Sequence, residues 1–427
     1  MSILRIEGGH GLSGSVAVHG SKNAVLPMMA ASVLYSGTTV IYGVPRILDV
    51  LYMIEILETL GCRVDFQRDI LIIDASNIRS ACLPSTLTGK MRSSVFLLGP
   101  LLTRCREAYI GEPGGCSIGK RPIDMHLAAL MQMGAEVKEE DGWIQAFASD
   151  LHGSEIKLPF PSVGATENVV MAAVKAKGQT LLKNAAREPE VVDFCRMLLA
   201  MGADIKGIGS STLLIQGVSD LHACEFHVSG DRIEAATYLI AGAACKGEIL
   251  ITNTNAGQLA SVLSALSVSG CDILQSQDAV CIRRKDRLRA VPCIRTAPFP
   301  GFPTDVQSQM MALLSMAEGQ SVIQENIFEA RFQTALELQK MGADITIERN
   351  RAIVKGVPGL FGTKVSATDL RGGAALVIAA LAAEGTTEIH NCTYIYRGYH
   401  CLEEQLSRLG AAVHRISASQ EVPGAAV

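Results

Sequence analysis

One cysteine of the 427-residue chain lies in a segment whose composition could make it chemically active. The segment EPGGCSIGKRPIDMH (112–126) places Cys116 among three glycines, with Lys120 and Arg121 a few residues further on. Glycine and proline at this density exclude a helix or a central strand, so we predict a mobile loop. Nearby cations would lower the pKa of the thiol if they approach it. Such a loop could close on a charged substrate, whereas the plain alternative is a connection with an incidental cysteine.

A carboxylate in the segment RTAPFPGFPTDVQSQ (295–309) is the second candidate. Three prolines between residues 298 and 303 predict a rigid, extended approach to a helix capped by Thr304. Asp305 would lie in the first turn of that helix, where it could act as a general base. The alternative is a carboxylate that the helix dipole merely favours, and the spacing by itself favours this alternative.

Basic residues recur beside predicted helix starts, where free backbone N–H groups attract anions. These residues are Lys22, Arg92, Arg121, Arg187, Arg232, Arg331, Arg371 and Arg397. The predicted capping residues of the helices are Thr166, Asp231, Thr304 and Thr368. Any one of the arginines could equally pair with a neighbouring carboxylate such as Glu188. Taken together, they favour a small ligand that carries several negative charges.

The composition limits the class of protein. The chain has 38 Lys and Arg against 42 Asp and Glu, a formal charge of -4, which argues against a chain-wide nucleic-acid surface. Its longest strongly apolar stretch, 372–383, is shorter than the roughly 20 residues that cross a bilayer. The first residues lack an apolar signal region, and none of the 12 cysteines forms a CxxC pair. We therefore expect a cytoplasmic protein with no nucleic-acid or membrane partner, no metal and no other cofactor. The oligomeric state is not indicated.

Two series of glycines reveal an internal repeat. The pattern [LMS]-G-[AC]-x-[VI] occurs at Gly61, Gly134, Gly202, Gly270, Gly342 and Gly410, with separations of 73, 68, 68, 72 and 68 residues. Each of these glycines is predicted to end a helix in a left-handed cap and to precede a β-hairpin. In the second series each glycine is predicted to follow a second helix and to precede a short strand. These glycines are Gly37, Gly178, Gly247, Gly319 and Gly385, and Arg106 takes the place of the glycine in the second unit.

The repeated unit therefore reads helix, strand, helix, hairpin. One such unit is too small to cover its own apolar faces. Six units predict an α/β fold of two domains with three units each. A six-unit open solenoid is the disfavoured alternative, because solenoid repeats usually span about 20–45 residues. The polar stretch 417–427 has no periodic partner and is predicted to fray.

Eight segments occur in the order and near the spacing of a known family. They are GSKNAVLP at Gly20, KMRSSVFLLGPLL at Lys90, PGGCSIGKRPIDMH at Pro113, SVGATENVV at Ser162, NAAREPEVVD at Asn184, RTAPFPGFPTD at Arg295, ATDLR at Ala367 and YRGY at Tyr396. The chain closely resembles the UDP-N-acetylglucosamine 1-carboxyvinyltransferases, which are enolpyruvyl transferases. This resemblance implies a two-domain inside-out α/β barrel with the active site in the cleft between the domains. It also implies that residues 22–229 form the domain with the Cys116 loop, and that 1–21 and 230–427 form the other.

The activity implied by the resemblance is transfer of enolpyruvyl from phosphoenolpyruvate to the 3′-hydroxyl of UDP-N-acetylglucosamine. Phosphate is released, and the reaction is the first committed step of peptidoglycan synthesis. Cys116 would protonate the methylene carbon of phosphoenolpyruvate and would be the thiol that fosfomycin alkylates. Asp305 would take the proton of the sugar hydroxyl. The chemistry needs no metal.

The resemblance also implies the substrate contacts. Lys22 and Asn23 would contact phosphoenolpyruvate, and Arg121 and Arg397 would bind its phosphate and carboxylate. The residues implied to hold the nucleotide sugar are Arg92, Arg121, Pro122, Ile123, Asp124, Met125, Ser162, Val163, Gly164, Asp305 and Ile327. Arg331 and Arg371, from the helix-start series, complete the predicted substrate-binding set.

Four positions depart from the family pattern, although none is a proposed catalytic group. They are Ala236 for Gly, Ala330 for Asn, Tyr396 for an acidic residue and His400 for Glu. Two other functions stay open: a catalytically weak or regulatory paralogue, and a shikimate-phosphate enolpyruvyl transferase. The Cys116 loop and the SVGAT segment argue against the second of these.

Overall fold

The computed structural model describes residues 2–115 and 118–417; Cys116, Ser117 and residues 418–427 of the predicted tail lie outside this description. Within the described residues the chain forms two compact units. The amino-terminal unit comprises 19–115 and 121–229, and the carboxy-terminal unit comprises 2–18, 118–120 and 230–417. Residues 118–120 thus belong to the carboxy-terminal unit, whereas the predicted boundaries put them in the other domain. The division into 22–229 and 1–21 with 230–427 stays a prediction.

The strands are short and follow one another along the whole described chain. In chain order they are β1 (Ser2–Glu7), β2 (Ser13–Ala17), β3 (Thr38–Tyr42), β4 (Arg63–Gln67), β5 (Ile70–Asp74), β6 (Cys82–Leu83), β7 (Glu107–Gly111), β8 (Glu136–Glu140), β9 (Trp143–Phe147), β10 (Glu155–Lys157), β11 (Gln179–Lys183), β12 (Asp204–Lys206), β13 (Thr212–Gln216), β14 (Cys224–His227), β15 (Glu248–Thr252), β16 (Asp272–Gln275), β17 (Ala279–Arg283), β18 (Cys293–Arg295), β19 (Gln320–Gln324), β20 (Asp344–Glu348), β21 (Arg351–Lys355), β22 (Lys364–Ser366), β23 (Thr386–His390) and β24 (Ala412–Ser417).

Helices alternate with these strands. They are α1 (Lys22–Ala31), α2 (Leu48–Leu60), α3 (Ser85–Thr88), α4 (Leu98–Cys105), α5 (Asp124–Gln132), α6 (Val163–Ala173), α7 (Pro189–Ala200), α8 (Arg232–Ala244), α9 (Ala260–Val268), α10 (Gln307–Leu314), α11 (Thr334–Lys340), α12 (Leu370–Ala382), α13 (Thr393–Tyr396) and α14 (Leu402–Arg408). None of the helices in the described part of the chain is long and apolar enough to span a membrane.

All the sheets share one design, which confirms the predicted α/β fold of repeated units. The described residues form six four-stranded sheets. The orders in the amino-terminal unit are β14-β3-β5-β4, β6-β7-β9-β8 and β10-β11-β13-β12, and those in the carboxy-terminal unit are β22-β23-β1-β24, β16-β17-β15-β2 and β18-β19-β21-β20. In each sheet one edge strand pairs in parallel and the remaining pairs are antiparallel.

Three helices of the carboxy-terminal unit, α8, α10 and α12, lie in its interior. Every residue of α8 and of α10 is buried, and in α12 only Ala382 is not. These helices are rich in apolar residues on all sides, as a helix with no solvent face must be. Their starts are therefore the places where polar side chains enter the interior, and the candidate site residues lie there.

The repeat closes in a way that the pattern does not reveal. A hairpin is predicted after each glycine of the first series, but the prediction is wrong for Gly410. There β24 pairs with β1, from the opposite end of the chain, in an antiparallel register that runs from Ser2 opposite Ser417 to Glu7 opposite Ala412. The sixth sheet is therefore completed by the amino-terminal strand.

The predicted left-handed caps are confirmed. Their φ angles are 106° at Gly61, 96° at Gly134, 95° at Gly202, 97° at Gly270, 95° at Gly342 and 98° at Gly410. In the second series of glycines, Arg106 takes the place of the glycine in the second unit. It also has a left-handed backbone conformation, with a φ of 64°. A side chain is strained in this region of backbone space, which explains why glycine recurs at the fixed spacing.

Candidate active site

Asp305 faces two buried arginines in the carboxy-terminal unit. It is the second residue of a 3₁₀ helix, Thr304–Val306, that leads into α10. Nη2 of Arg331 donates to Oδ1 of Asp305 at 2.8 Å, and Nη2 of Arg371 donates to Oδ2 at 3.1 Å. The arginine side chains are 2% and 4% exposed, whereas Asp305 is 26% exposed. Each carboxylate oxygen is thus held by a cation while the group stays accessible from one side.

Arg371 keeps its charge in this setting. Burial lowers its pKa, but the charge of Asp305, with smaller contributions from Tyr399 and Asp231, outweighs burial and raises the pKa above its ordinary value. Charge-assisted hydrogen bonds of this kind are short and directional. Arg371 and Arg331 therefore fix the plane of the Asp305 carboxylate.

The local structure around Asp305 corrects the predicted helix caps. Thr304 does not cap the helix that follows it; its hydroxyl donates to Oε2 of Glu325 at 3.0 Å. Among the other predicted caps, Asp231 is confirmed, since it accepts from two backbone N–H groups of α8. Thr166 and Thr368 are wrong, because Ser162 caps α6 and Asp369 caps α12.

Glu325 organises the turn that carries Ile327, a predicted nucleotide-sugar contact. Its Oε1 accepts from the backbone N–H of Ile327 at 2.8 Å and from that of Phe328 at 3.1 Å. Because its other oxygen accepts from Thr304, this buried carboxylate joins the Ile327 turn to the residue before Asp305. Glu325 was not among the predicted site residues; its signal is an acidic residue directly after the uncharged strand β19.

Ile118 and Gly119, which lie two and three residues after Cys116, contact the same region. The carbonyl of Ile118 accepts from the backbone N–H of Ala330 at 3.1 Å. Gly119 has a φ of +117°, and a Cβ built on it would lie 3.2 Å from the nitrogen of Glu329. This stretch therefore approaches the backbone just before Arg331. Cys116 itself lies outside the described residues.

Arg92 and Arg121 lie close together in the amino-terminal unit. A Cβ built on Gly115 would lie 3.3 Å from Cβ of Arg92 and 3.6 Å from Nη1 of Arg121. Burial, followed by the charge of Arg121, lowers the pKa of Arg92 to about 10, although Glu112 opposes this. The structure thus brings together two of the arginines predicted to bind anions.

A buried histidine that the sequence analysis did not select joins the two predicted nucleotide-sugar segments. His126, in α5, follows the run Arg121–Met125, whose last residues form the start of that helix. A Cβ built on Gly164, at the start of α6, would lie 3.0 Å from Cε1 and 3.3 Å from Nε2 of His126. The starts of α5 and α6, which carry the ends of these two runs, therefore meet at the His126 ring.

The hydrogen bonds of Asn168 assign the form of His126. The backbone N–H of Gly99 donates to Oδ1 of Asn168 at 2.9 Å, so the amide nitrogen is the atom that faces Nδ1 of His126, at 3.0 Å. Nδ1 must accept, and a neutral ring then carries its proton on Nε2. Burial, with the charges of Arg92 and Arg121, lowers the pKa of His126 to about 3. The imidazole is neutral at physiological pH.

Lys22 pairs with a carboxylate at the start of α1. Its Nζ lies 2.9 Å from Oδ2 of Asp49, and the two side chains are 13% and 3% exposed. Lys22 and Asn23 are the first two residues of the helix, as the helix-start series predicts. Arg397 directly follows α13 in the carboxy-terminal unit, and α14 begins only at Leu402, so the prediction that Arg397 lies beside a helix start is wrong. Among the described residues no group of three or more His, Cys, Asp or Glu side chains could hold a metal ion.

Tyr396, one of the departures from the family pattern, forms a polar cluster beside Arg397. Its hydroxyl donates to Oε1 of Glu403, and the guanidinium of Arg415 lies 4.5 Å from the centre of its ring. Burial and the hydrogen bond to Glu403 raise the pKa of Tyr396 above its ordinary value. Tyr396, the last residue of α13, thus links this short helix to α14 and β24.

Comparisons with known proteins agree with this geometry. The family model described as EPSP synthase (3-phosphoshikimate 1-carboxyvinyltransferase) matches residues 6–406. A relative from Dichelobacter nodosus named UDP-N-acetylglucosamine 1-carboxyvinyltransferase is 48% identical over 97% of this chain and 99% of its own. One from Caldanaerobacter subterraneus, named UDP-N-acetylglucosamine 1-carboxyvinyltransferase 2, is 46% identical over 97% of this chain and all of its own.

Solved structures give the same result for the fold. The enolpyruvyl transferase NikO from Streptomyces tendae superposes with a TM-score of 0.88 at 28% identity, covering 98% of this chain and 99% of that one. The EPSP synthase of Acinetobacter baumannii has a TM-score of 0.77 at 20% identity, which shows the fold alone. The fold and the charged helix starts define an enolpyruvyl transferase. More narrowly, the chain belongs to the UDP-N-acetylglucosamine 1-carboxyvinyltransferase family.

Proposed function

We propose that the protein transfers the enolpyruvyl group of phosphoenolpyruvate to the 3′-hydroxyl of UDP-N-acetylglucosamine and releases phosphate. In the cell this is the first committed step of peptidoglycan synthesis, and hence of cell-wall growth, shape and division, in the cytoplasm. The observation that carries the proposal is the Asp305 carboxylate, held by Arg331 and Arg371 yet accessible from one side. Relatives that share 42–48% of its residues carry the name of this activity.

The reaction needs an acid and a base on opposite faces of the new bond. The enol carbon of phosphoenolpyruvate is a poor electrophile until its methylene group is protonated. Cys116 supplies that proton, and Asp305 removes the proton of the attacking hydroxyl. The C–O bond forms at C2 to give a tetrahedral adduct. Loss of phosphate with a methyl proton then restores the double bond.

The remaining predicted residues hold the two substrates. Lys22, Asn23 and Arg397 bind phosphoenolpyruvate together with Arg121. The residues that bind the nucleotide sugar are Arg92, Arg121–Met125, Ser162–Gly164, Asp305, Ile327, Arg331 and Arg371. Because both substrates carry several negative charges, the arginines offset their mutual repulsion and orient them for attack.

The test is phosphate release from phosphoenolpyruvate, with UDP-N-acetylglucosamine and with shikimate 3-phosphate supplied in parallel. We expect release with the nucleotide sugar only. A Cys116→Ser variant should lose about 100-fold or more in turnover, because the serine hydroxyl is a far weaker acid than the thiol. The variant should also be insensitive to fosfomycin, whereas Cys82→Ser, a change at an exposed cysteine elsewhere, should behave as the parent.

The outcomes separate the candidate functions. Release with shikimate 3-phosphate alone would assign the other transferase activity. Release with neither acceptor, together with tight binding of UDP-N-acetylglucosamine, would indicate a regulatory paralogue. Either result would overturn the proposal.

A further inference from the structure

A closed ring of hydrogen bonds begins and ends at Asp305. Arg371 donates from Nη2 to the Asp305 carboxylate at 3.1 Å and from Nη1 to the hydroxyl of Tyr399 at 3.4 Å. The Tyr399 hydroxyl lies 2.8 Å from Oγ1 of Thr237. Nε2 of Gln309 lies 3.4 Å from that same Oγ1 and donates to the backbone carbonyl of Asp305 at 2.8 Å. We call these five residues the Asp305 ring.

The direction of each bond in the Asp305 ring can be assigned. The Thr237 hydroxyl donates its single proton to the carbonyl of Ile233 at 2.8 Å, so towards Tyr399 it can only accept. Arginine is purely a donor, so Tyr399 accepts from Arg371 and donates to Thr237. The hydroxyl of Tyr399 therefore accepts a hydrogen bond from the guanidinium of Arg371 and donates one to Thr237 in α8.

The ring lies in the interior of the carboxy-terminal unit. The relative exposure of its members other than Asp305 ranges from 0% to 5%. Burial raises the pKa of Tyr399 despite the opposing charge of Arg371, so the hydroxyl keeps its proton. Since water cannot replace a lost bond at such a depth, removal of one member leaves its neighbours without a partner.

Tyr399 lies two residues after Arg397, and the chain between them is tightly placed. A Cβ built on Gly398 would lie 2.7 Å from Cδ2 of Leu370, the residue before Arg371. The segment that carries Arg397 therefore packs against the start of α12 and is hydrogen-bonded there through Tyr399. The backbone of this segment therefore has little room for another conformation.

We propose that Tyr399 is a positioning residue, which couples the segment of Arg397 to Asp305 through Arg371. The inference rests on the proposed function, in which Arg397 binds phosphoenolpyruvate and Asp305 acts on the sugar hydroxyl. Tyr399 thereby fixes the position of Arg397, which binds phosphoenolpyruvate, relative to Asp305, which activates the sugar hydroxyl. Because Tyr399 is buried, it acts through Arg371 rather than on a substrate directly.

The chain offers a matched control for the hydroxyl group of Tyr399. Tyr238, in α8, is 1% exposed, and its hydroxyl has no hydrogen-bond partner among the described residues. We expect Tyr399→Phe to lower kcat about tenfold, a typical cost of a lost hydrogen bond to a charged group. Tyr238→Phe, which removes the same atom but no bond, should stay within about twofold of the parent.

A double-variant experiment separates positioning from a general loss of structure. Arg371→Lys removes the planar fork that reaches both Asp305 and Tyr399. If Tyr399 acts through Arg371, the double variant Arg371→Lys with Tyr399→Phe should lose no more than about twofold beyond Arg371→Lys alone. Losses that multiply would show independent roles and overturn the inference.

Two further measurements keep the inference falsifiable. Thr237→Val breaks the ring on the other side of Tyr399 with little change of shape and should reproduce the loss in kcat; it decides the matter if Tyr399→Phe fails to fold. Phosphate release by the parent must be measured first, because its absence would refute the proposed function. A working parent with equal activity in Tyr399→Phe and Tyr238→Phe would refute the positioning role alone.

Discussion

The two units place arginines at helix starts in opposite electrostatic settings. In the carboxy-terminal unit Arg331 and Arg371 both face the carboxylate of Asp305, which lies within 3.1 Å of each. In the amino-terminal unit Arg92 lies beside Arg121, and the charge of each lowers the pKa of the buried His126. In the first setting each arginine faces a carboxylate of the protein, whereas in the second the repulsion between two arginines outweighs the attraction of Glu112 for Arg92.

This difference separates two tasks that a reaction between two anions requires. A base must be ionised and fixed before the substrate arrives, and a carboxylate between two buried cations meets both conditions. A group of residues that binds phosphates must instead carry net positive charge before the anion binds. Cations placed side by side repel one another, and an anion that enters relieves the repulsion. A neutral His126 adds no further charge to that group.

The largest effect should follow the loss of the carboxylate. Asp305→Ala should lower kcat by about 1,000-fold, because no other described group in the Asp305 ring can take a proton from the sugar hydroxyl. Affinity for UDP-N-acetylglucosamine, measured by calorimetry, should fall much less, since the arginines that we propose to bind the nucleotide keep their charges. Asp150→Ala, which breaks an exposed ion pair with Lys177, should leave both quantities unchanged.

Equal losses of turnover and affinity in Asp305→Ala would contradict the role of a base. They would instead show that the carboxylate serves to hold Arg331 and Arg371. Both groups of arginines would then be binding sites, and they would differ only in that one of them contains the carboxylate of Asp305.

The repeated fold could be predicted from the sequence because its rule is local. A left-handed helix cap disfavours every residue with a side chain, so glycine returns in each unit at nearly constant spacing. The closure of the sixth sheet could not be predicted in this way. β1 and β24 contact each other only because the whole chain has folded, and neither strand carries a signal of the other.

The site divides along the same line. Asp305 and the arginines stand out by their local composition, but their pairing does not, since Arg371 is 66 residues from Asp305 in the chain. Tyr399 and Thr237, 162 residues apart, meet only through the packing of helices. Asn168 had a usable signal, because it ends the polar run Thr166–Asn168 inside a helix whose other residues are Val, Met, Ala and Gly. Polar residues in buried helices must be hydrogen-bonded, which marks them for a search of partners.

The second prediction concerns the group of arginines in the amino-terminal unit. Arg92→Gln should weaken the binding of UDP-N-acetylglucosamine about tenfold, because it removes a charge-assisted contact to the nucleotide. The effect on kcat at saturating substrate should be smaller, since Arg92 only binds. Arg63→Gln, at an exposed position of β4, is the matched control and should leave affinity unchanged.

If Arg92→Gln lowered kcat and left the affinity intact, Arg92 would belong with the reacting groups. That result would erase the distinction between a unit that prepares a base and a unit that binds an anion. Titration of affinity against salt gives a second readout, because fewer charge contacts should make binding less sensitive to ionic strength.

The smallest predicted effect is spectroscopic and concerns His126. Its pKa of about 3 in the folded protein lies below the ordinary value for histidine, because burial and the two arginines disfavour the imidazolium. A ring that must stay neutral contributes stability above the unfolded-state pKa of about 6.5, and this stability is lost as the pH falls towards the folded value.

NMR of the ring should therefore show one histidine that does not titrate between pH 8 and 5, with its proton on Nε2. The signal should be absent in His126→Gln, and in Arg92→Gln its pKa should move upward. Titration near 6.5 in the parent would mean that the ring is open to solvent and that the positive charge around it is weaker than the geometry indicates.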